Sequence, residues 1–526
     1  MREIAQNTPG FKIFNVGRRI AMCLFGLMLA VTSSATDYYV ATTGSDSDAG
    51  TIEAPFASLS YAQTLVQAGD NVYFRGGTYE IGEEQIMEYT SNGTWAYVFK
   101  IATKGTSSKP IIYAAYGDEK VIFDMSTVKP ADRRVIVFYV SGSYLTFKNF
   151  EVIGTQVTIL KHTQSECFRI EGGNYNTFEN ISCHDGMAIG YYLTKGMYNL
   201  VLNCDAYNNY DSVSESGAGG NVDGFGGHTN STGSVGNVFR GCRAWYNSDD
   251  GFDLINSQAP ITIEYCWSFR NGYQAVTNAS LGDGTGFKAG GYGMTTSIKA
   301  PTEIPRHVVR NCIAYFNKNK GFYANHHLGG IDWYNNTGYQ NPSNFCMLNR
   351  KSAEGDPENV DGYGHVLENN LSYNPRTTDA HIISVDMDSC QLKNNSFFPA
   401  LTLSDADFVS LDESQLTAAR KADGSLPDIT FAQVNPNSLL AYWKLGCYED
   451  AQDNTTYDWM EQASVDVDGN YAKVVGAGAE AFVNFYINDT KVDFGKRVVD
   501  LSKYEGTITL KATTEEGGIT RLIINK

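Results

Sequence analysis

The chain of 526 residues carries a formal net charge of −18, from 40 Lys and Arg against 58 Asp and Glu. Its 42% hydrophobic and 19% charged residues allow a large buried core and argue against disorder, collagen or a membrane bundle. The acidic balance also argues against the wrapping of nucleic acid, because phosphate binding needs a basic face. High counts of Tyr (33), Phe (27) and Gly (52) favour a β-rich chain with many tight turns.

The N-terminus has the pattern of a secretory signal peptide. Arg18 and Arg19 precede an apolar run over 20–31 that is too short for a comfortable membrane span. Small residues up to Ala35 suit the positions before a cleavage site. The sequence therefore predicts a signal peptide over 1–35, secretion to the periplasm, cell surface or medium, and no integral membrane segment after cleavage.

A repeat runs through the middle of the chain: a polar residue, then Cys or Asn, two variable positions and an aromatic residue. Successive repeats are 24 to 46 residues apart, and the short steps cluster near two dozen. Such a period indicates a solenoid, in which the long steps are one coil plus an insertion. The residues at the Cys or Asn position are Cys204, Cys242, Cys266, Cys312, Asn336, Asn370 and Asn395.

Each repeat contains one or two short strand-like runs bounded by Gly and Asn turns, without a segment of helix length. A right-handed parallel β-helix fits this pattern best. Because its coils stack about 4.8 Å apart, one residue type at one repeat position forms an internal column. The cysteines are therefore predicted to form a buried, reduced column, rather than disulfides or a metal site, and the asparagines an amide ladder.

The flanks of the repeats differ from the coils. Within 55–68, apolar residues at helical spacing, including Leu59 and Leu65, predict an N-terminal capping helix over the first coil. Alternating polar and apolar residues over 462–526 predict a small antiparallel β domain or extension. We predict three parts: the signal peptide over 1–35, the parallel β-helix over 36–428, and a C-terminal part over 429–526 of unknown role.

The densest chemical signal is a group of four aspartates. Asp249, Asp250 and Asp253 lie within five positions, and Asp223 precedes them by about one coil. Stacked coils would bring the four carboxylates together, and their repulsion requires a cation. Oxygen-only ligands on loops suit Ca²⁺, since no His or Cys spacing for zinc and no EF-hand pattern is present. The alternative is that these are ordinary turn residues.

A single lysine follows the aspartates. Lys288 stands among small residues over 284–291, 35 positions after Asp253, which is one coil plus an excursion. Bare backbone on both sides leaves room for a bulky ligand. A neighbouring cation would lower the lysine pKa and make the amine a usable base. The alternative is an exposed turn lysine.

Four runs of the sequence form an ordered set of motifs. They are GDNVYFRGGTY at 69–79, DGFGGH at 223–228, GCRAWYNSDDGFD at 241–253 and GFK at 286–288. In these runs the chain resembles the polysaccharide lyase family nine pectate lyases and their rhamnogalacturonan-cleaving relatives. The resemblance covers roughly residues 37–428. It implies a parallel β-helix, a catalytic Ca²⁺ bound by the four aspartates, and Lys288 as the Brønsted base.

The implied reaction is β-elimination at C4 of a galacturonate residue in an acidic plant cell-wall polysaccharide, pectin. Ca²⁺ would stabilise the charge on the uronate carboxylate while neutral Lys288 removes the C5 proton. Rhamnogalacturonan and polygalacturonate stay open as substrates, and a monomer is expected. Further substrate contacts are predicted from polar residues on the next coils: Arg306, Arg310, Lys318, Lys320, Asn325 and His326.

Two other readings stay open. A β-helical pectin hydrolase is one, because Asp249 and Asp250 could supply the acid and base of an inverting polygalacturonase. Such hydrolases carry Gly-His-Gly and a later Arg-Ile-Lys, whereas this chain has Gly-Gly-His-Thr at 226–229 and lacks Arg-Ile-Lys. The other is a noncatalytic carbohydrate-binding solenoid, whose repeats would look the same outside the aspartate group.

Overall fold

A computed structural model describes residues 35–161, 164–214, 217, 219–292, 299–352, 358–449, 463–476, 479–515 and 518–526. The predicted signal peptide lies outside the described residues except for Ala35. Within the described part, three long sheets run along the molecule, and each complete coil adds one strand to each sheet in the order I, II, III. The predicted parallel β-helix is confirmed. No helix in the described ranges combines the length and hydropathy needed to cross a bilayer.

The three sheets are built from short strands that pair in parallel with the strands one coil away, apart from an antiparallel first pair in sheet III. Sheet I contains Asp37–Val40, Asn71–Phe74, Ile111–Ala115, Leu145–Lys148, Thr177–Glu179, Leu200–Leu202, Asn237–Arg240, Ile261–Glu264, Val308–Arg310, Asp332–Tyr334, Val366–Glu368 and Gln391–Lys393. Sheet II contains Gly77–Glu80, Val121–Asp124, Glu151–Ile153, Ser182–His184, Asp205–Tyr207, Arg243–Trp245, Trp267–Phe269, Ile313–Tyr315, Thr337–Tyr339 and Leu371–Tyr373. Sheet III contains Glu88–Tyr89, Trp95–Ile101, Arg134–Val140, Ser165–Glu171, Ala188–Lys195, Phe225–Gly227, Phe252–Asp253, Phe287–Lys288, Lys320–Tyr323, Ser343–Cys346 and Ile382–Ile383.

A stack of aromatic rings inside the solenoid fixes the register of sheet III. Neighbouring rings are nearly parallel, with centroids 4.8 to 5.2 Å apart. Because side chains alternate between the two faces of a strand, the side chain that follows each inward-facing ring points outward. This places Asp253, Lys288 and Tyr323 in one outward row on adjacent coils. The stacked residues are Phe168, Tyr191, Phe225, Phe252, Phe287, Phe322 and Phe345.

The predicted column of cysteines and asparagines is confirmed at the turn between sheets I and II. The backbone N–H of Cys242 donates to Cys266 Sγ, and that of Cys266 to Cys312 Sγ, each at 3.4 Å. The N–H of Cys312 donates to Asn336 Oδ1 at 3.1 Å, and the amide ladder continues to Asn395. These cysteines are buried and free.

A second asparagine ladder, which the sequence analysis did not identify, lines the turn between sheets II and III. In it, the side-chain oxygen of one asparagine accepts the backbone N–H of the asparagine one coil earlier, at 3.0 to 3.1 Å. The Asn247 to Asn271 step lies directly beside the predicted aspartate group. The ladder thus holds the turn from which those aspartates project. Its members are Asn209, Asn247, Asn271, Asn317 and Asn341.

The N-terminal cap is shorter than predicted. The α-helix is a single turn, Leu59–Ala62, in which the Ser58 side chain accepts the Tyr61 N–H as the N-cap. Leu59 and Ala62 join the main core, whereas Leu65, expected on the apolar face, is 37% exposed. Only one turn therefore covers the first coil.

The C-terminal part confirms the predicted antiparallel β structure. One sheet contains Ser464–Asp468, Tyr471–Val475 and Val498–Asp500, and the other contains Phe482–Ile487, Thr490–Val492, Thr507–Thr514 and Ile519–Asn525. The last strand of the coils is Gln391–Lys393, and the domain boundary predicted near residue 428 stays a prediction. The short 3-10 helices are Glu83–Gln85, Asp405–Asp407, Glu413–Thr417, Leu439–Trp443 and Ala479–Ala481. A separate two-stranded ribbon pairs Asn349–Arg350 with Asn359–Val360.

Residues 394–449 run back along sheet II. Phe408 packs against Tyr373 with ring centroids 4.7 Å apart, and Phe431 against Tyr315 at 5.0 Å. Further back, Glu413 accepts from Arg270 at 2.6 and 2.9 Å. At the far end, Arg420 donates to Asp205, a buried carboxylate that Arg243 also binds. The segment therefore crosses several coils.

Candidate active site

The structure brings the four predicted aspartates together on the outer side of sheet III. Asp223 lies just before Phe225–Gly227, and Asp253 ends the strand on the next coil. Carboxylate oxygens of Asp223, Asp249 and Asp250 all lie within 4.8 Å of one another. All four side chains are buried, and Asp250 completely so. An ordinary set of exposed turn residues would not have this burial.

Backbone N–H groups from the preceding and the following coil hold the carboxylates of Asp249 and Asp250 in place. Asp249 accepts from the N–H groups of Asn221 and Asp283, each at 2.6 Å. Asp250 Oδ1 accepts from the Thr285 N–H at 2.6 Å. The cluster is therefore built into the backbone rather than gathered by flexible side chains.

Lys288 completes the cluster. It pairs in register with Asp253 on the preceding coil, so their side chains leave the sheet side by side. Its Nζ lies 3.0 Å from Asp250 Oδ2 and 3.0 Å from Asp253 Oδ2. The lysine side chain is only 14% exposed, which contradicts the alternative of a free turn lysine.

The cluster contains more buried carboxylates than positively charged groups. Burial raises the pKa of Asp223 well above its ordinary value, and the neighbouring carboxylates raise it further. Burial likewise raises the pKa of Asp250 to about 8, although the Lys288 ammonium opposes the rise. Four carboxylates face one ammonium, so the site lacks positive charge.

The same carboxylates act on the lysine. Burial alone lowers the pKa of Lys288, but the charges of the four aspartates outweigh it and raise this pKa well above its ordinary value. From the sequence we expect a lowered lysine pKa, because a cation is predicted at the site. Without a cation the direction is reversed, since the carboxylates then act on the ammonium unopposed.

These residues fit a hard divalent cation. Asp250 Oδ2 is buried, and although it lies near the Lys288 ammonium it accepts no hydrogen bond from any residue that the structure describes. A buried carboxylate oxygen that accepts no hydrogen bond, beside further carboxylate oxygens, is the donor chemistry that Ca²⁺ prefers. Asp223, Asp249, Asp250 and Asp253 are the residues that would hold it.

His228 belongs to the site, and the sequence analysis gave it no role. A nitrogen of its ring lies within 4.8 Å of carboxylate oxygens of Asp223 and Asp253. The ring stacks on Tyr192 at 4.7 Å, and a Cβ on Gly226 would come within 2.9 Å of it. The absence of a side chain at position 226 therefore makes room for the imidazole. The only sequence signal was its place in the run at 223–228.

Four of the predicted substrate residues lie on the coil that follows Lys288. Lys320 Nζ lies 4.7 Å from the ring of Tyr323, which pairs in register with Lys288. His326 Nε2 lies 2.9 Å from the Tyr323 hydroxyl. The other two contact the backbone around Lys288, since Lys318 donates to the Leu281 carbonyl at 2.7 Å and Asn325 to that of Gly290 at 2.8 Å.

The remaining two predicted substrate residues lie elsewhere. Arg310 is part of a sheet I strand and donates to Glu264 at 2.7 Å. Arg306 precedes the same strand and donates to Asp332, also of sheet I, at 2.8 Å. The structure does not bring Arg306 and Arg310 to the aspartate cluster. Spacing along the chain predicts the coil on which a residue lies, but not the face of that coil.

Comparisons with known proteins agree with this fold. Residues 38–370 match the family described as Pel9A-like, right handed beta helix region, and residues 387–521 match one described as rhamnogalacturonan lyase-like, C-terminal. Pectate lyase L of Dickeya chrysanthemi is 34% identical over 414 residues, 77% of this chain and 84% of that protein. Pectate lyase PEL9 of Emericella nidulans is 30% identical and covers 74% of this chain and 90% of its own length.

Two solved structures are also similar. One named rhamnogalacturonan lyase has a TM-score of 0.76 and 50% identity, and the match covers 79% of this chain and all of that one. The pectate lyase Pel9A has a TM-score of 0.59 and 32% identity, covering 78% of this chain and 91% of that one. The parallel solenoid with a buried acidic cluster is thus that of a polysaccharide lyase. The chain belongs to the Pel9A-like right-handed β-helix family.

Proposed function

We propose that this enzyme is a secreted, calcium-dependent lyase that cleaves a pectic backbone by β-elimination at C4 of a galacturonate residue. Lys288 is the base in this proposal. The observation that carries it is the position of Lys288 Nζ, 3.0 Å from each of two buried aspartates in a cluster that lacks positive charge. Hydrolysis uses two carboxyl groups as acid and base and does not require a lysine base, and a binding solenoid requires no base at all.

The relatives support an acidic pectic polymer as the substrate. The relatives from Dickeya chrysanthemi and Emericella nidulans are named pectate lyases, whereas a solved structure at 50% identity and the C-terminal family carry the name rhamnogalacturonan lyase. The higher identity to the latter favours rhamnogalacturonan over polygalacturonate. Secretion rests on the predicted signal peptide over 1–35, and the enzyme is expected to act as a monomer.

The residues divide the chemistry between them. When bound by the four aspartates, Ca²⁺ supplies positive charge to the uronate carboxylate, where negative charge grows as C5 loses its proton. Neutralisation of the aspartates also removes the field that raises the pKa of Lys288. The neutral amine then accepts the C5 proton at Nζ, and the C5–H electron pair forms the C4–C5 double bond as the glycosidic oxygen leaves.

The test of this function is the product. The enzyme is incubated with rhamnogalacturonan and with polygalacturonate, with Ca²⁺ or with a chelator, and the ultraviolet absorbance of unsaturated uronate is followed. We expect absorbance to rise only with Ca²⁺, and faster on rhamnogalacturonan. New reducing ends without absorbance would indicate a hydrolase, and binding without any new ends would indicate a noncatalytic solenoid.

A further inference from the structure

We propose that the outer face of the C-terminal four-stranded sheet is a second, noncatalytic binding site for an acidic polysaccharide. This sheet is formed by Phe482–Ile487, Thr490–Val492, Thr507–Thr514 and Ile519–Asn525. The choice of ligand rests on the proposed function, since a pectic polymer carries carboxylates on its galacturonate residues. The site gives a role to the C-terminal part, which the sequence alone leaves without one.

The burial of alternate residues distinguishes the two faces of this sheet. Phe485, Leu510 and Ala512 are buried in the C-terminal hydrophobic core. Because side chains alternate between the two faces of a strand, the neighbouring residues Tyr486 and Lys511 point to the opposite, outer face. The strands at the two edges of the sheet therefore add their outward side chains to the same face.

A row of three cations and one tyrosine crosses this outer face. Tyr486 is directly opposite Lys491 on one neighbouring strand and Lys511 on the other, and Lys511 is directly opposite Arg521. The four residues thus lie side by side on four adjacent strands. Since neighbouring strands are about 4.8 Å apart, the row is roughly 14 Å long. An extended polymer that follows the row contacts it with more than one sugar residue.

The row places like charges next to each other. Lys511 and Arg521 are directly opposite on neighbouring strands, an arrangement that destabilises a sheet. Lys511 Nζ lies 2.8 Å from Oδ1 of Asp489, which is 77% exposed. The hydrogen bond and the charge of Lys511 lower the pKa of Asp489, and the charge of Arg521 lowers it further. In the other C-terminal sheet, by contrast, Lys473 is directly opposite Asp466. The cost of adjacent cations indicates an anionic ligand for the outer face.

The same face also offers apolar surface. Ile519 and Ile523 lie two residues on either side of Arg521 on the same strand, and each is 63% exposed. The Lys511 ammonium lies 4.5 Å from the centre of the Tyr486 ring. Cations beside an aromatic ring and aliphatic side chains suit a polymer that presents both carboxylates and the apolar faces of sugar rings. In a protein of net charge −18, this row supplies the local basic surface that such a polymer requires.

The experiment measures binding of the whole chain to rhamnogalacturonan by affinity electrophoresis in chelator. Without Ca²⁺ the aspartate cluster repels uronate carboxylates, so the retardation reports the C-terminal face. For Lys491→Gln/Arg521→Gln, at two exposed positions, we expect about threefold to thirtyfold weaker binding. Lys120→Gln/Lys421→Gln removes two charges that are 70% and 43% exposed on other parts of the chain, and this control should bind as wild type does. Equal binding of the wild type and the Lys491→Gln/Arg521→Gln variant would refute the proposal.

Two further ligands test what the face recognises. Rhamnogalacturonan whose carboxyl groups have been reduced should not be retained, because it offers no anion to the row. Tyr486→Ser should weaken binding of the acidic polysaccharide but not of duplex DNA, since phosphates need the charges and not the ring. Retention of the reduced polymer, or binding of duplex DNA as tight as that of the acidic polysaccharide, would overturn the assignment.

A charge-conserving variant and a cleavage assay separate this site from the fold and from the proposed function. Lys491→Arg/Arg521→Lys keeps both charges and should bind as wild type does, whereas a loss as large as that of Lys491→Gln/Arg521→Gln would contradict a charge-based site. With Ca²⁺, the glutamine variant should cleave a short oligosaccharide of galacturonate and rhamnose at the wild-type kcat/KM, and an equal loss on short and long chains would also contradict it. If the wild type forms no unsaturated product, the lyase proposal fails, yet the retardation in chelator still decides the role of this face.

Discussion

Sheets I and III of the same solenoid use charged side chains in opposite ways. On sheet I, Glu264 lies between Arg240 and Arg310, one coil on either side, and all three charges are paired while both arginines are more than two-fifths exposed. On sheet III, Asp253 and Lys288 are paired by the same register, but the surrounding aspartates leave a buried excess of negative charge. The register is common to both, and the balance of charge distinguishes the face of the aspartate cluster from the face of sheet I.

The largest expected effect is that of Lys288→Ala on turnover. Removal of a general base costs about two to four orders of magnitude in rate, and Lys288→Arg should fail nearly as badly because a guanidinium stays protonated. The measurement is kcat at saturating substrate and Ca²⁺. Lys120→Ala, at a lysine that is 70% exposed, serves as the control. A Lys288→Ala enzyme within tenfold of wild type would assign the base to another residue.

Next in size is the effect of Asp250→Ala on the metal requirement. This aspartate is fully buried at the centre of the cluster, so its loss should raise the Ca²⁺ concentration for half-maximal activity at least about tenfold, or abolish activity. The circular dichroism spectrum should stay that of wild type, because the carboxylate holds the cation and not the core. Asp428→Ala, whose side chain is 91% exposed, is the matched control. An unchanged Ca²⁺ titration would contradict the assignment.

A smaller effect is expected on the pH dependence of stability, measured in the presence of a chelator. The pKa of Asp250 is raised from its ordinary value of 3.8 to about 8, so between these values the folded protein binds more protons than the unfolded one. The stability linked to this group is therefore fully present below about pH 3.8 and lost as the pH rises to 8. The midpoint of thermal unfolding should fall across this window, and Ca²⁺ or Asp250→Asn should flatten the fall. An equal slope in Asp250→Asn would show that other groups cause it.

The smallest effect should come from sheet I. Arg310→Gln breaks the ion pair between Arg310 and Glu264. Because the arginine is 41% exposed, the free energy of unfolding should change by less than about 1 kcal/mol. Both kcat and KM should stay within twofold of wild type, because this arginine is not on the face of the cluster. A large rise in KM would mean that substrate reaches sheet I, and the contrast between the two sheets would then fail.

The sequence predicted those features that repeat or cluster along the chain. Cys242 and Cys266 were recognisable because a solenoid places equal repeat positions in one column, and Asp223 could be placed beside the later aspartates because it precedes them by one coil. Lys288 was recognisable as a candidate site residue by its small neighbours and by its place one coil plus an excursion after Asp253. In each case, the coil on which a residue lies was sufficient to place it.

Features that depend on which face a residue occupies were not predictable in this way. Arg306 and Arg310 belong to the expected coils, but a shift of a few residues across a turn moves a side chain from one sheet to another. His228 has no repeat partner. Its place in the site depends on the room that Gly226 leaves for its ring, and this contact is seen only in the folded molecule.

The segment over 394–449 changes how the solenoid should unfold. In a stack where each coil contacts only its neighbours, unfolding can begin at either end and spread. Here Arg420 reaches back to Asp205, while Phe408 contacts Tyr373 more than four coils later. The segment connects these coils to one another, so the coils of the aspartate cluster between them cannot open without releasing it. We therefore expect one cooperative transition across this region rather than fraying coil by coil.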